Sequence, residues 1–345
     1  MSMEFEKKLA LPMEVKEMYP MTLKMGQIIE EKRAQIQAIF EGRDDRLLLI
    51  IGPCSADNED SVIDYISRLC PLQEKVKEKI FIVPRIYTNK PRTTGEGYKG
   101  MLHQPDPNGK SDLFKGIAAT RHMHLRAVRE TGFACADEML YPENYRYLDD
   151  VLSYVAVGAR SVEDQQHRMT VSGMDIPAGM KNPTSGDLTV MFNSITAAQA
   201  EHNFIYRGWD VSTDGNDLAH VVLRGSVNKH GNSLPNYHYE DLLLTAQLYE
   251  RFELKNPAIV VDCNHANSGK KAREQIRISH EILHSRSYNQ SLKKLVKGLM
   301  IESYLVGGRQ DTVGGPDHVY GQSITDPCLG WEESEKLIYE IYSRL

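Results

Sequence analysis

The chain has 345 residues, 41% of them apolar and 26% charged, with a net charge of −6. A chain of this size and composition can bury a large core, which excludes a disordered one. Its negative balance excludes nucleic acid as a main partner, because gripping a phosphate backbone needs surplus Lys and Arg. Five cysteines, at 54, 70, 135, 263 and 328, form no CxxC pair and fit a reducing cytoplasm. The longest apolar run, Leu47–Ile51, is far too short to span a bilayer, so no membrane is expected.

Residues 1–45 read as an N-terminal arm. Ile28, Ile29, Ile36 and Phe40 recur at helical spacing among charges, so a helix over Met25–Phe40 is expected, packed on the body or on a second subunit. No Pro/Gly/Ser-rich linker divides residues 46–345, which form one domain. Short apolar runs there read as strands: 47–51, 80–84, 133–136, 154–157, 176–179, 203–206, 258–261 and 296–301. Amphipathic helical segments alternate with them, among them Asp57–Cys70, Ser268–Tyr288 and the segment after Trp331. Strands apolar on both faces, alternating with helices, predict a parallel α/β sheet, and eight units predict a (β/α)8 TIM barrel. An open doubly wound sheet is the other architecture. The additional run His220–Leu223 spoils the count and reads as part of a hairpin inserted near strand six.

A polar or charged residue follows nearly every run: Cys54, Arg85, Glu138, Arg160, Lys181, Arg224, His265 and Glu302. In a barrel those positions converge on one face. The stretch Ile82–Gly100 concentrates Arg85, Lys90, Arg92 and Lys99 against one acid, Glu96. It is either a solvated basic loop or an anion grip. With Arg160, Lys181 and Arg224 at other strand ends, a face that binds multiply charged anions makes sense of it. The helical basics Arg121, His122, His124, Arg126 and Arg129 read instead as a solvated face. Gly95–Gly100 matches GxGxxG, but the strand ends at Pro84, well before it, and a polar loop follows, so no dinucleotide site is expected.

Cys54, His265, Glu302 and Asp326 offer one sulfur, one nitrogen and two carboxylates, a set suited to Mn2+, Fe2+, Co2+ or Zn2+. Taken singly, each is equally well a buried thiol or a hydrogen-bonded loop side chain.

Together these segments resemble the bacterial type I 3-deoxy-D-arabino-heptulosonate 7-phosphate (DAHP) synthases. The matching pieces are GPCS at 52–55, KPRTT at 90–94, GAR at 158–160, KN at 181–182, LRG at 223–225, HANS at 265–268, ESxLV at 302–306 and SITDPCLGWEES at 323–334. The resemblance implies a TIM barrel that condenses phosphoenolpyruvate with erythrose 4-phosphate. It implies one divalent metal ion on Cys54, His265, Glu302 and Asp326. It places phosphoenolpyruvate on Arg85, Lys90, Glu138, Arg160, Lys181 and Arg224, and the erythrose 4-phosphate phosphate on Arg92 and Thr93. Lys90, Cys54 and His265 are the expected catalytic residues. Lys90, Glu138 and a water on the metal stay open as the group that activates the attacking water. Relatives form dimers or tetramers, so a homodimer or homotetramer is expected.

The loop after KPRTT is one residue longer than the family's usual form. The segments Tyr141–Arg146 and Met169–Asp175 are bulkier and more charged than the family's inhibitor-binding versions, which predicts weak or absent inhibition by aromatic amino acids. Two rivals remain. An octulosonate-phosphate synthase would use arabinose 5-phosphate, but its loop resembles KANRS instead of KPRTT. A non-catalytic barrel sensing phosphorylated metabolites would not need four metal ligands.

Overall fold

The computed structural model describes residues 3–345 except 93, 94, 312 and 314. Eight parallel strands follow one another around a barrel: Leu47–Gly52, Ile80–Pro84, Ala136–Glu138, Tyr154–Val157, Ala178–Lys181, Ala219–Leu223, Ile259–Asp262 and Val296–Glu302. The eighth pairs with the first, Gly298 opposite Leu48. Between the second and third, closure rests on the bridge of Arg85 with Ala136, where the Ile86 N–H donates to the Ala136 carbonyl at 2.8 Å. This is a (β/α)8 barrel, and the open sheet is excluded.

Strand side chains alternate in direction, and both sets are buried. Leu48, Ile50, Phe81, Val83, Tyr154, Ala156, Val222, Val260 and Met300 fill the interior. Leu47, Leu49, Ile51, Ile80, Ile82, Val155 and Val261 face the surrounding helices. Each large side chain so buried contributes roughly 1.5–3 kcal/mol. The arm helix, Leu23–Phe40, starts at a Thr22 cap and sends Ile36, Ile39 and Phe40 into the interior cluster. Phe40 lies against His220, ring centroids 4.2 Å apart, and Tyr154, at 6.4 Å. It plugs the end where the strands begin, so the opposite end is left for chemistry.

A polar pair sits within that apolar interior. The neutral His220 ring donates from Nδ1 to the Leu218 carbonyl at 2.8 Å and accepts the Tyr154 hydroxyl on Nε2 at 2.9 Å. Gly179 has no side chain because a Cβ there would collide with that hydroxyl. Burial lowers the His220 pKa from 6.5 to about 4. Between those values the unfolded chain binds a proton that the folded one does not. The stabilisation is therefore complete above pH 6.5 and is lost as pH falls toward 4, by about 3 kcal/mol. Urea unfolding across that window is expected to show a shallower pH slope for His220→Gln than for the wild type, and equal slopes would contradict this.

Four expectations need correcting. The sixth barrel strand is Ala219–Leu223, every residue buried, whereas His202–Tyr206 pairs with Trp209–Thr213 as the inserted hairpin. His202–Tyr206 alternates between half-buried and exposed residues, and Trp209–Thr213 does so from Asp210 on, the mark of a ribbon with one wet face. The third and fifth strands lie two residues or more further along, so that Glu138 and Lys181 themselves end strands. The helix placed at Asp57–Cys70 is Glu59–Val76 and continues through Pro71, because Leu72 and Val76 bury its last turn. Of the supposed solvated basic face, Arg121 and His124 are buried. Arg121 donates to both Asp150 oxygens and to the Tyr19 and Tyr147 carbonyls, tying the arm to the barrel. His124 meets Asp137 at 3.3 Å.

Candidate active site

The C-terminal strand ends gather the charged residues. Gly52 ends the first strand beside Arg85, whose backbone and Cγ stand where a Cβ would go. Arg85 is buried over the Tyr87 ring, 3.8 Å from its centroid. Its Nε donates to the Pro53 carbonyl at 3.0 Å, and Nη2 reaches Glu302 Oε1 at 3.2 Å and the Cys54 carbonyl at 3.3 Å. Nη1 has no hydrogen-bond partner among the described residues. The same holds for Nη1 of Arg224, whose backbone N–H is held by Asn182 Oδ1 at 2.8 Å. Burial, with Arg160 nearby, lowers the Arg224 pKa against the pull of Asp262. Lys181 is buried at the end of the fifth strand, 3.6 Å from Asp262 Oδ2 and 3.9 Å from Glu138 Oε2. Unpaired, buried donor atoms on cations are what an incoming anion satisfies.

Lys90 bridges two of the proposed metal ligands, donating to Cys54 Sγ at 2.9 Å and Asp326 Oδ2 at 2.8 Å. Burial opposes its charge, but Cys54, Asp326 and Glu302 outweigh burial and raise its pKa. The same geometry, against burial, holds Asp326 well below the usual carboxylate range. Glu302 is also lowered, by His265, Arg85 and Lys90 against its burial. The Cys54 thiol is pushed up, by burial first and then by Glu302.

Cys54 Sγ stands 3.6 Å from Asp326 Oδ2, and His265 Nε2 stands 3.7 Å from Glu302 Oε1. Neighbouring donors around a tetrahedral ion with 2.0–2.3 Å bonds stand roughly 3.4 Å apart, so each pair fits. Among the described residues no three His, Cys, Asp or Glu side chains form a ready cluster; Lys90 lies on Cys54 and Asp326, and Arg85 on Glu302.

Arg160 is exposed at the rim. Arg92 is half-buried, its Nε on the Tyr98 carbonyl at 2.8 Å. Thr93 lies outside the described residues. The glycines of the GxGxxG match shape this loop: Gly100, at φ +93, lies against the Thr88–Asn89 backbone, which allows no Cβ.

The match to known proteins is extensive. A model of the DAHP synthetase I family covers residues 22–338. The chain belongs to the DAHP synthetase I family. Family membership carries the DAHP synthase condensation, the first step of aromatic biosynthesis. Phospho-2-dehydro-3-deoxyheptonate aldolase of Haemophilus influenzae is 37% identical over 335 residues, 96% of this chain and 90% of that one. The Trp-sensitive enzyme of Escherichia coli K12 is 35% identical over 340 residues, 97% of this chain and 94% of that one. The solved phospho-2-dehydro-3-deoxyheptonate aldolase of Francisella tularensis SCHU S4 superposes with a TM-score of 0.91 at 29% identity, covering 99% of this chain and 98% of that one.

Seen as a DAHP synthase site, the strand ends include three residues that the sequence reading passed over. Asp262 lies between His265 and Lys181. Asn264 donates to Glu302 Oε2 at 2.5 Å. Lys270 reaches Asp326 Oδ1 at 3.0 Å. Asp262 carried a signal of its own, a carboxylate directly ending an apolar run.

Away from the strand ends, a cleft of about 1050 Å3 opens between the arm, the helix Tyr145–Leu148 and the hairpin. Leu11, Tyr145, Arg146, Asp175, Phe204 and Trp209 are among its walls. Among the described residues, no helix is long and apolar enough to cross a membrane.

Proposed function

We propose that this DAHP synthase is metal-dependent, joins phosphoenolpyruvate to erythrose 4-phosphate in the cytoplasm as a homodimer or homotetramer, and is weakly or not inhibited by aromatic amino acids. The observation that carries the substrate reading is the pair of buried guanidinium donors, Arg85 Nη1 and Arg224 Nη1, left unpartnered among the described residues, with Lys181 sharing the Tyr87 ring with Arg85. Arg85, Lys181, Arg224 and Arg160 take the carboxylate and phosphate of phosphoenolpyruvate. Arg92 and Thr93 take the phosphate of the aldose. With both anionic ends fixed, C3 of the enol phosphate faces the aldehyde carbon, and orientation supplies much of the acceleration.

A divalent ion held by Cys54, His265, Glu302 and Asp326 would supply a Lewis acid for the aldehyde oxygen. The enol π electrons form the new C–C bond, and water adds at C2. The C2–O bond to phosphorus then breaks, leaving inorganic phosphate and the C2 ketone. Lys90 and Glu138 are the side-chain candidates for moving the proton of that water.

Arg92→Ala is expected to raise KM for erythrose 4-phosphate at least tenfold, about 1.4 kcal/mol or more, with KM for phosphoenolpyruvate little changed; steady-state kinetics with each substrate varied checks it. Erythrose 4-phosphate should be turned over in preference to arabinose 5-phosphate, and the reverse preference would overturn the substrate reading.

The weak-inhibition reading is supported by the cleft beside the hairpin, where Glu143, Arg146 and Asp175 place charges in the wall. Inhibition by micromolar phenylalanine, tyrosine or tryptophan would refute it. Assembly is supported by Ile205 and Trp209, 75% and 74% exposed on the hairpin. Light scattering that finds a monomer would contradict it.

A further inference from the structure

Asp262 ends the seventh strand with its side chain fully buried, and none of the roles above uses it. Its carboxylate is shared between two working groups. Oδ2 lies 2.8 Å from His265 Nδ1 and 3.6 Å from Lys181 Nζ. Oδ1 accepts the Asn264 N–H at 3.0 Å, and the Asp262 carbonyl accepts from Asn267 Nδ2 at 2.8 Å. The turn is therefore pinned at each step. His265 itself sits at φ +50, a left-handed conformation that is unfavourable for a residue with a side chain. The Asp262 contact helps offset that cost and fixes which way the ring faces. With Nδ1 on Asp262, Nε2 is turned toward Glu302 Oε1, 3.7 Å away.

We infer that Asp262 is a positioning residue that joins the two halves of the site, holding the His265 ring with Nδ1–H on its carboxylate and Nε2 bare, and holding the Lys181 ammonium at the anion grip. An imidazole binds a metal through a bare nitrogen, and a carboxylate on the other nitrogen selects that tautomer and makes the ring a better donor. The same carboxylate keeps the buried Lys181 cation from facing Glu138 alone. The inference rests on the metal reading proposed above.

The test uses the full-length protein stripped of metal and titrated with Co2+, following the near-ultraviolet thiolate-to-cobalt absorption that reports Cys54. Asp262→Asn keeps the shape and one acceptor oxygen, enough for the His265 N–H or the Asn264 N–H but not for both, and loses the charge. It is expected to weaken Co2+ binding about 10- to 100-fold and to raise KM for phosphoenolpyruvate, with a thermal midpoint close to that of the wild type. Asp262→Ala should weaken Co2+ binding further. A merely structural role would lower the midpoint and leave the Co2+ affinity of the folded protein unchanged. Wild-type Co2+ affinity in folded Asp262→Asn would overturn the inference alone.

Should the variants not fold, the Zn2+-loaded wild type carries the test. A downfield imidazole N–H proton resonance that disappears in His265→Gln supports the assignment, and its absence from the wild type overturns it. Wild-type protein that takes up no Co2+ would instead defeat the metal reading, and the inference with it.

Discussion

Cys54→Ser is expected to lower turnover at least about a hundredfold while leaving the barrel folded. The side chain is 2% exposed, with Sγ 3.6 Å from Asp326 Oδ2 and 2.9 Å from Lys90 Nζ. A hydroxyl occupies nearly the same space and can keep the Lys90 contact, so the stability change should be within roughly 1 kcal/mol. It is a poor substitute for sulfur toward Mn2+, Fe2+, Co2+ or Zn2+. A thermal melt and a phosphate-release assay on the same preparation separate the two effects. Activity within tenfold of the wild type would remove Cys54 from the ligand set.

Arg85 and Arg224 bear the same charge at the same site, and their loss is expected to act in opposite ways. Arg85 is buried against Glu302, so Arg85→Met strands a buried carboxylate and should destabilise the fold by roughly 3–5 kcal/mol. Arg224 has no carboxylate within ion-pair distance among the described residues, and burial already lowers its pKa. Arg224→Met should leave stability unchanged or slightly higher and weaken phosphoenolpyruvate binding by roughly 2–5 kcal/mol. Urea unfolding and KM for phosphoenolpyruvate read the two effects. A destabilised Arg224→Met with normal affinity would contradict this division of labour.

Most of the barrel was legible because strands buried on both faces are written as mostly apolar runs, Leu47–Ile51 without a break and Val296–Ile301 interrupted only by Lys297 and Gly298. The sixth strand was misplaced for the same reason in reverse. Asn203–Tyr206 has a strand's composition, but its partner is the neighbouring ribbon strand Trp209–Thr213, and composition does not record a partner. Burial was also hidden. Arg121 looked like a surface charge on a helix, and only the fold brings Asp150 and the Tyr19 carbonyl to it.

At the site, the residue types were legible, because polar side chains follow strand ends, and the family resemblance supplied their roles. What could not be read was how the charges pair. Arg85 looked like a free anion grip and is half committed to Glu302, while Arg224 is the freer one. Such pairings join residues more than two hundred positions apart, and no local pattern encodes them.

The central claim, metal-dependent condensation at this ring of cations, is tested most directly by phosphate release from phosphoenolpyruvate in the stripped protein. Release is expected only when erythrose 4-phosphate and a divalent ion are both present, and it should stop on adding excess chelator. Undiminished release in the chelator would contradict the claim.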